Sequence, residues 1–295
     1  MKRFSILIPT WNNLDFLKLC IRSIEQNSAC EHEILIHVND GSDGTLEWVR
    51  QHGYKYTHSE ENIGVCWALN GLRPLVTTNY IVFMNDDMYV CPKWDSVLYE
   101  EIVRIGHNFF FLSSTMIQPK EHTSRKNSVL AVDYGYTPET FNEAGLLDDL
   151  QQFICSTDWQ GSTNPPNIVH RDIWDLVGGY SIEYTPGMAS DPDFSAKLWL
   201  AGVREFKGMS QSLVYHFMSK SVSRIVKNDG SIQFLRKYGI TIRAFYENIL
   251  HVDLPVTEKG PSTFRLKVDI LRSHIKKITT ICRNLKTKNL WDNLS

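Results

Sequence analysis

Two adjacent carboxylates, Asp86 and Asp87, follow the apolar run Tyr80–Met84 in the stretch FMNDDMYV. Acids placed where a buried strand emerges suit a hard divalent cation. Mg2+ and Mn2+ take oxygen ligands and bridge a few carboxylates to substrate phosphates. The plainer reading is a turn, since Asn and Asp favour turns. A second acidic group, NDGSDGT at 39–45, follows another apolar run. It reads either as a turn that caps a helix or as a grip on a nucleoside through an acid-to-base hydrogen bond. A third, SDPDFSAKLWLAG, sets Asp191 and Asp193 at a helix start with Ser190 or Asp191 as cap. Capping and the helix dipole account for one of these acids. The pair also suits a general base that deprotonates an acceptor hydroxyl. His216 ends the apolar run SLVYHF, either as a packed core residue or as a metal ligand.

These groups need elements to hold them. FSILIPT is a short continuous apolar run, the mark of a strand buried on both faces. NNLDFLKLCIRSIEQN places Leu14, Leu17, Ile21 and Ile24 at helical spacing, with Asn12 or Asn13 as cap. EILIHV is a second strand, GTLEWVRQHG a helix stopped by Gly53, and YKYTHS a weaker third strand. GVCWALNGLRP is a helix ended by Pro74, and YIVFM is the fourth strand. This alternation predicts βαβ units and a parallel sheet flanked by helices. Ligands of such sheets bind beyond the carboxyl ends of the strands. Pro9-Thr10-Trp11-Asn12, residues 39–45 and Asn85-Asp86-Asp87 all fall there. From 91 to 225 the pattern is less regular. HNFFFLSSTMI reads as a strand and RKNSVLAVDYGYTPETFNEAG as loop. PPNIVHRDIWDLVGGY reads as strand, short helix and Gly-Gly turn, while VREFKG and SLVYHF read as two short strands. From Val226 onward the pattern is mostly helical.

The chain has 295 residues and a mass of 34.1 kDa, enough for one large domain or a domain with an appendage. Its 42% hydrophobic and 22% charged residues are ordinary for a soluble globular protein. The net charge is −2, so bulk charge suggests no polyanionic partner. The distribution is uneven. Residues 261–295 hold eight Lys/Arg and two acids, so a basic tail follows an acidic body and points to a surface contact. The six cysteines are scattered without a CxxC pair, which argues against a zinc site or disulfide framework and fits a reducing compartment. No run reaches the length needed to span a bilayer. MKRFSILIPTW lacks a signal-peptide cleavage site. The expected location is the cytoplasm, with a peripheral membrane association as an option.

Taken together, the motifs resemble the GT-A-fold glycosyltransferases of family 2, in order, over roughly residues 4–220. SILIPTWNN is similar to that family's opening strand and Pro-Thr-Tyr-Asn turn, with Trp11 for Tyr. VNDGSDGT resembles Asp-Asp-Gly-Ser-x-Asp-Gly-Thr, one residue shorter and with Asn39 for the first Asp. ENIGVCWALNGL resembles Asn-x-Gly…Ala-Arg-Asn-x-Gly, with Leu69 where Arg is usual. FMNDDM matches the Asp-x-Asp metal motif with Asn85 for its first Asp and Asp87 as its last. VHRDIWDLVGGY is similar to the segment ending Gly-Gly-Phe. SDPDFSAKLWLAG matches Glu-Asp-x-Asp-Leu…Arg-Leu…Gly, with Ser190 for Glu and Lys197 for Arg. VYHFMSKSVSR resembles the late His-containing segment.

The resemblance implies an α/β GT-A fold: a nucleotide-sugar-binding half at 1–90, an acceptor half at 91–225 and a helical C-terminal region at 226–295. It implies inverting transfer of a sugar from a nucleoside-diphosphate donor, UDP-linked first among the choices, to a surface glycan or lipid-linked oligosaccharide. Carried over by position, Asp87 binds Mn2+ or Mg2+ with His216 completing the site and Asp86 in support. Pro9, Thr10, Trp11, Asn12, Asn39, Asp40, Asn62, Gly64, Asn70 and Asn85 line the donor site, and Asp191 is the base. The Gln-x-x-Arg-Trp motif of processive synthases is absent, which implies one sugar per encounter. Three alternatives stand beside this: a glycosyltransferase acting on hydroxylated bases of DNA, a nucleotidyltransferase, and an inactive sugar-nucleotide-binding protein.

The tail sets Phe264, Val268, Leu271, Ile275, Ile278 and Cys282 on one helical stripe, with Arg265, Arg272, Lys276, Lys277 and Arg283 mainly off it. One reading packs the stripe on the body and leaves a solvated basic face. The others meet an anionic membrane surface or a nucleic acid.

Overall fold

A computed structural model describes residues 2–120, 127–154, 157–219, 228–260 and 263–286. Its first four strands are those expected: the apolar runs β1 (Phe4–Trp11), β2 (Glu33–Asn39) and β4 (Tyr80–Phe83), and the more polar edge strand β3 (Lys55–Ser59). They pair in parallel, joined by helices α1 (Leu14–Asn27), α2 (Thr45–Gln51) and α3 (Gly64–Leu72). Side chains of a strand alternate between faces. Phe4, Ile6 and Ile8 therefore meet Leu17, Ile21 and Ile24 of α1, while Leu7 points the other way toward Leu69 and Leu72 of α3. Both faces are covered, so a continuous apolar run is what β1 requires.

The second half adds β5 (Met88–Val90), α4 (Trp94–Ile105), β6 (Phe110–Gln118), β7 (Val129–Ala131), α5 (Glu143–Phe153), β8 (Trp159–Gln160) and β9 (Asn167–His170). Then come α6 (Arg171–Val177), α7 (Ser190–Leu200) and β10 (Glu205–His216). The sheet runs β3-β2-β1-β4-β9-β6-β10-β5, with β7 on β6 and β8 on β10. β9 lies antiparallel between β4 and β6, and β5 lies antiparallel to β10, so the sheet is mixed rather than parallel throughout.

Four elements differ from the sequence reading. The segment expected to be loop contains β7 and the start of α5, whose cap Asn142 accepts from the Gly145 amide. Leu146 is the one fully buried residue of α5, too little to give a periodic signal. The two short strands near the end are one strand, β10, with a register shift between Met209 and Leu213. β5 is three residues long and follows the acidic pair directly.

The start of α1 is capped from elsewhere. Neither Asn12 nor Asn13 supplies a side-chain cap. Instead Asp43, in the β2–α2 loop, accepts from the Leu14 amide at 3.0 Å with one oxygen and from the Thr45 amide at 3.0 Å with the other. One carboxylate thus serves the first turns of both α1 and α2. The same loop needs Gly41: its φ is +83°, and an added Cβ would sit 2.8 Å from Leu46 Cβ and Val38 Cγ1.

Helices α8 (Gly230–Tyr238) and α9 (Ile242–Phe245), a π-helical turn at 246–250 and α10 (Thr263–Lys286) complete the described chain. α10 does rest on the body, but the stripe expected to pack there faces outward, and the opposite side carries the hydrogen bonds to the body. Cys282 and Arg283 lie outside the residues whose side chains are described.

Asp43→Ala should lower stability by about 1–2 kcal/mol, since it strips an acceptor from two helix starts. Asp43→Asn should recover only part of that loss, because its carboxamide offers one acceptor oxygen where two amides donate, as read from paired thermal or urea melts.

Candidate active site

The carboxyl ends of β1, β2 and β4 open into a cavity of about 630 Å³. Pro9, Thr10, Trp11, Asn39, Asn62, Gly64, Asn85, Asp86, Asp87, Asp191 and His216 all line it. Of the residues picked out from the sequence, Asn12, Asp40 and Asn70 are not in that lining. Their side chains are spent on local structure. Asn12 donates to Asp40 at 2.7 Å and accepts from the Gly41 amide at 2.9 Å. Asp40 also accepts from the Ser42 amide at 3.1 Å, and its Ser42 and Asn12 hydrogen bonds hold its carboxyl below the usual range. Asn70 exchanges two hydrogen bonds with the backbone of Tyr180, which ties α3 to the Gly-Gly-Tyr turn after α6.

Asn39 does reach the cavity. Its amide donates to Thr10 O at 3.2 Å and its carbonyl accepts from the Ile63 amide at 2.9 Å. The carboxamide thus fixes the Asn62–Gly64 entry to α3 against the ends of β1 and β2. Leu69, the position where the related motif has Arg, is fully buried in the core, so it faces no ligand.

The acidic pair sits at the cavity floor, with Asp86 9% and Asp87 5% exposed. Asp87 is held by two neighbours from the end of β10. His216 Nε2 lies 3.4 Å from its Oδ1, and the Ser219 amide donates to its Oδ2 at 2.7 Å. Burial alone would raise the Asp87 pKa. The charge of His216 and the hydrogen bonds from His216 and Ser219 outweigh that, and the carboxyl stays below its ordinary range. Burial works against a charged His216, but the Asp87 charge and hydrogen bond prevail and raise its pKa. Each group thus favours the charged form of the other. The lining also contains three buried polar atoms with no protein partner among the described residues: Thr10 Oγ1, His216 Nδ1 and Ser219 Oγ. Ser219 was not among the sequence candidates, although it lies in the quoted segment VYHFMSKSVSR. No cluster of three or more acidic, His or Cys side chains with metal-holding geometry occurs among the described residues. Two carboxylates with further oxygens from a diphosphate still fit a cation such as Mg2+, which binds through few protein ligands.

α7 brings in the third acid. Its N-cap is Ala189, in the left-handed region at φ +69°, and not Ser190 or Asp191; Ser190 Oγ donates to Gly187 O at 2.7 Å. The two aspartates then part. Asp191 lines the cavity, and Tyr180 Oη, from a ring stacked on Phe194, lies 3.5 Å from its Oδ1. Asp193 is fully buried on the other side, where Lys237 and Tyr238 of α8 each donate to its Oδ1 at 2.7 Å. Asp193 is therefore an anchor for α8. Lys197 caps carbonyls at the end of α6, Val177 O at 3.1 Å and Gly179 O.

A mixed sheet with helices on both faces, acids at the strand ends and a cavity of this size define an α/β protein of the GT-A type. Residues 5–161, more than half of the chain, match the family model described as glycosyl transferase family 2, and the chain belongs to that family. A search of curated proteins finds no match to the sequence. Among solved structures, the fold is similar to that of S. aureus TarS 1–349, at a TM-score of 0.59 and 14% identity, over 98% of this chain and 77% of that one. The TarS 1–349 structure in complex with UDP-GlcNAc is similar at a TM-score of 0.58 and 14% identity, with the same coverage. GalNAc-T7 with UDP, GalNAc and Mn2+ is similar at 0.58 and 11% identity, over 84% of this chain and 50% of that one. At these identities the likeness establishes the fold.

Asp87→Asn removes the charge that most favours protonated His216 and leaves only that of Asp86 against burial, so the His216 pKa should fall. An NMR titration of the histidine ring shifts reads this directly; an unmoved His216 would contradict the pairing.

Proposed function

We propose that the protein is an inverting, non-processive glycosyltransferase that moves a sugar from a UDP-sugar to an acceptor hydroxyl. The observation that carries this reading is that Asp86-Asp87 and Asp191, from opposite halves of the sequence, line one cavity at the strand ends. Family membership and the UDP and UDP-GlcNAc complexes of similar structures support it.

In this reading the nucleoside lies against Pro9, Thr10, Trp11, Asn39 and Asn62, where Thr10 Oγ1 is a buried atom in need of a partner. The diphosphate lies over Asn85, Asp86 and Asp87. No Lys or Arg lines the cavity among the described residues, so a doubly charged leaving group calls for a cation there. Asp87, with Asp86 and His216 beside it, would hold Mn2+ or Mg2+, whose charge stabilises the departing diphosphate. Mn2+ in the GalNAc-T7 structure supports that choice. Asp191 takes the proton of the acceptor hydroxyl, which raises its nucleophilicity. Tyr180 steadies the carboxylate. Attack on the face opposite the diphosphate inverts the anomeric centre in one displacement, so no second carboxylate nucleophile is needed.

We place the donor in the half at 1–90 and the acceptor in the half at 91–225, with 226–295 as a helical extension. Met116, Val129, Met188 and Met218 give the cavity an apolar wall. Such a wall favours a glycan or lipid-linked acceptor over a polyanion such as DNA. We assign the protein to the cytoplasm on its free cysteines, Cys20, Cys30, Cys66 and Cys91. No helix of the described residues is long and apolar enough to cross a membrane.

Asn85 and Ser190 depart from the acidic positions of the related motifs, which favours an inactive nucleotide-sugar binder as the second reading. Asp191→Asn separates the two. We expect it to cut transfer, or slow donor hydrolysis, by about 10²–10⁴-fold, the usual contribution of a general base. UDP-sugar affinity should stay unchanged in calorimetry. A wild-type protein that binds UDP-sugar without turning it over on any glycan acceptor would favour the inactive reading.

A further inference from the structure

Helix α10 turns its apolar side away from the protein. Phe264, Leu271, Ile275 and Ile278 share one stripe by their three- and four-residue spacings. They are 75%, 61%, 55% and 62% exposed. The hydrogen bonds to the body come from the other side, where Leu266 and Ile270 are also half-buried. The Thr241 amide donates to Ser273 Oγ at 3.2 Å, Asn248 donates to Asp269 at 2.9 Å, and Lys277 donates to Arg236 O at 3.0 Å. A helix recruited to complete a core has the reverse arrangement. Single exposed apolar residues are ordinary, but four on one stripe mark an interaction surface.

Charge says what covers it. At 100° per residue, Arg272 and Lys276 border the stripe on one side and Lys267 on the other. Asp269, the one acid of the described helix, faces the body. An apolar centre between cationic borders complements an anionic bilayer, with side chains in the acyl boundary and cations at the phosphates. The helix lies along the surface and does not cross it, because its polar side is tied to α8, α9 and the π-helical turn.

We propose that α10 docks the protein flat on an anionic lipid bilayer, with Phe264, Leu271, Ile275 and Ile278 inserted and Lys267, Arg272 and Lys276 at the headgroups. α10 rests on α8 through Lys277, and α8 is locked to α7 through Asp193. Docking therefore holds the Asp191 cavity in a set relation to the membrane. The inference rests on the two faces of α10 alone, and vesicle binding and sugar transfer can each fail without the other.

The test is flotation of the full chain with vesicles of phosphatidylcholine alone and of phosphatidylcholine mixed with phosphatidylglycerol. We expect binding to the mixed vesicles, weakened by salt. The double variant Leu271→Glu/Ile275→Glu should weaken it at least about tenfold, since each lost insertion removes a large side chain's transfer energy. Arg272→Glu/Lys276→Glu should remove the preference for the anionic lipid. Both changes sit on the exposed face, so melting temperatures should not move. The milder Leu271→Ser/Ile275→Ser pair guards against misfolding and should rank between wild type and the glutamates. Failure to bind mixed vesicles, or binding indifferent to the apolar substitutions, overturns the proposal. So does a dimer in light scattering that the Glu pair dissolves, which would assign the stripe to a second copy. Binding to duplex DNA in preference to vesicles, lost with the charges and not with the apolar residues, would assign it to nucleic acid.

Discussion

The parallel pairing of β1 with β2 and β4 is the constraint from which the rest follows. Parallel strands must all run the same way, so their carboxyl ends share one edge and their connections cross behind as helices. Thr10, Asn39 and Asp86 are far apart in sequence and become neighbours only because of this rule. The later strands obey a different one. β9 enters antiparallel between β4 and β6, and β10 brings His216 back beside the acidic pair through its antiparallel pairing with β5. A three-residue strand, β5, is thus what joins the two halves of the site: it begins at the residue after Asp87 and pairs Met88 with His216.

Charge in the site is concentrated and mutually held. Asp87 is buried, which by itself disfavours the carboxylate, and His216 is buried, which by itself disfavours the imidazolium. Each favours the charged form of the other. A buried pair of this sort is costly to break from one side, because the survivor is left uncompensated. Asp193 follows the same logic at a distance from the chemistry. It is fully buried, and Lys237 and Tyr238 both donate to its Oδ1 while fixing α8. Two acids two residues apart therefore divide the work, one turned to the cavity and one to the scaffold.

Much of this was legible in the sequence, and the limits have physical causes. β1, β2, β4 and the helices between the first four strands follow from apolar runs and 3.6-residue spacing, because long-range packing covers them, whereas the edge strand β3 gave a weaker signal. The acids at strand ends were visible for the same reason. What the pattern could not carry was side-chain direction in loops. Asp40 looked like a ligand residue but is turned to Asn12 and Ser42, and Asn12 looked like a cap while Asp43 does the capping. α5 was hidden by its single deeply buried residue, and the register shift in β10 by the polar stretch Ser210–Ser212. The outward stripe of α10 could not be read from periodicity, since the period fixes a face but not which way it points.

The central claim is that the cavity binds a nucleoside diphosphate through a cation held at Asp86-Asp87. Calorimetric titration of UDP into the wild-type protein and Asp87→Ala, each with and without Mn2+, tests it most directly. The account predicts that Mn2+ strengthens UDP binding to the wild type and leaves the variant unchanged. Equal UDP affinity with and without Mn2+ in the wild type, or no binding of UDP at all, would contradict it.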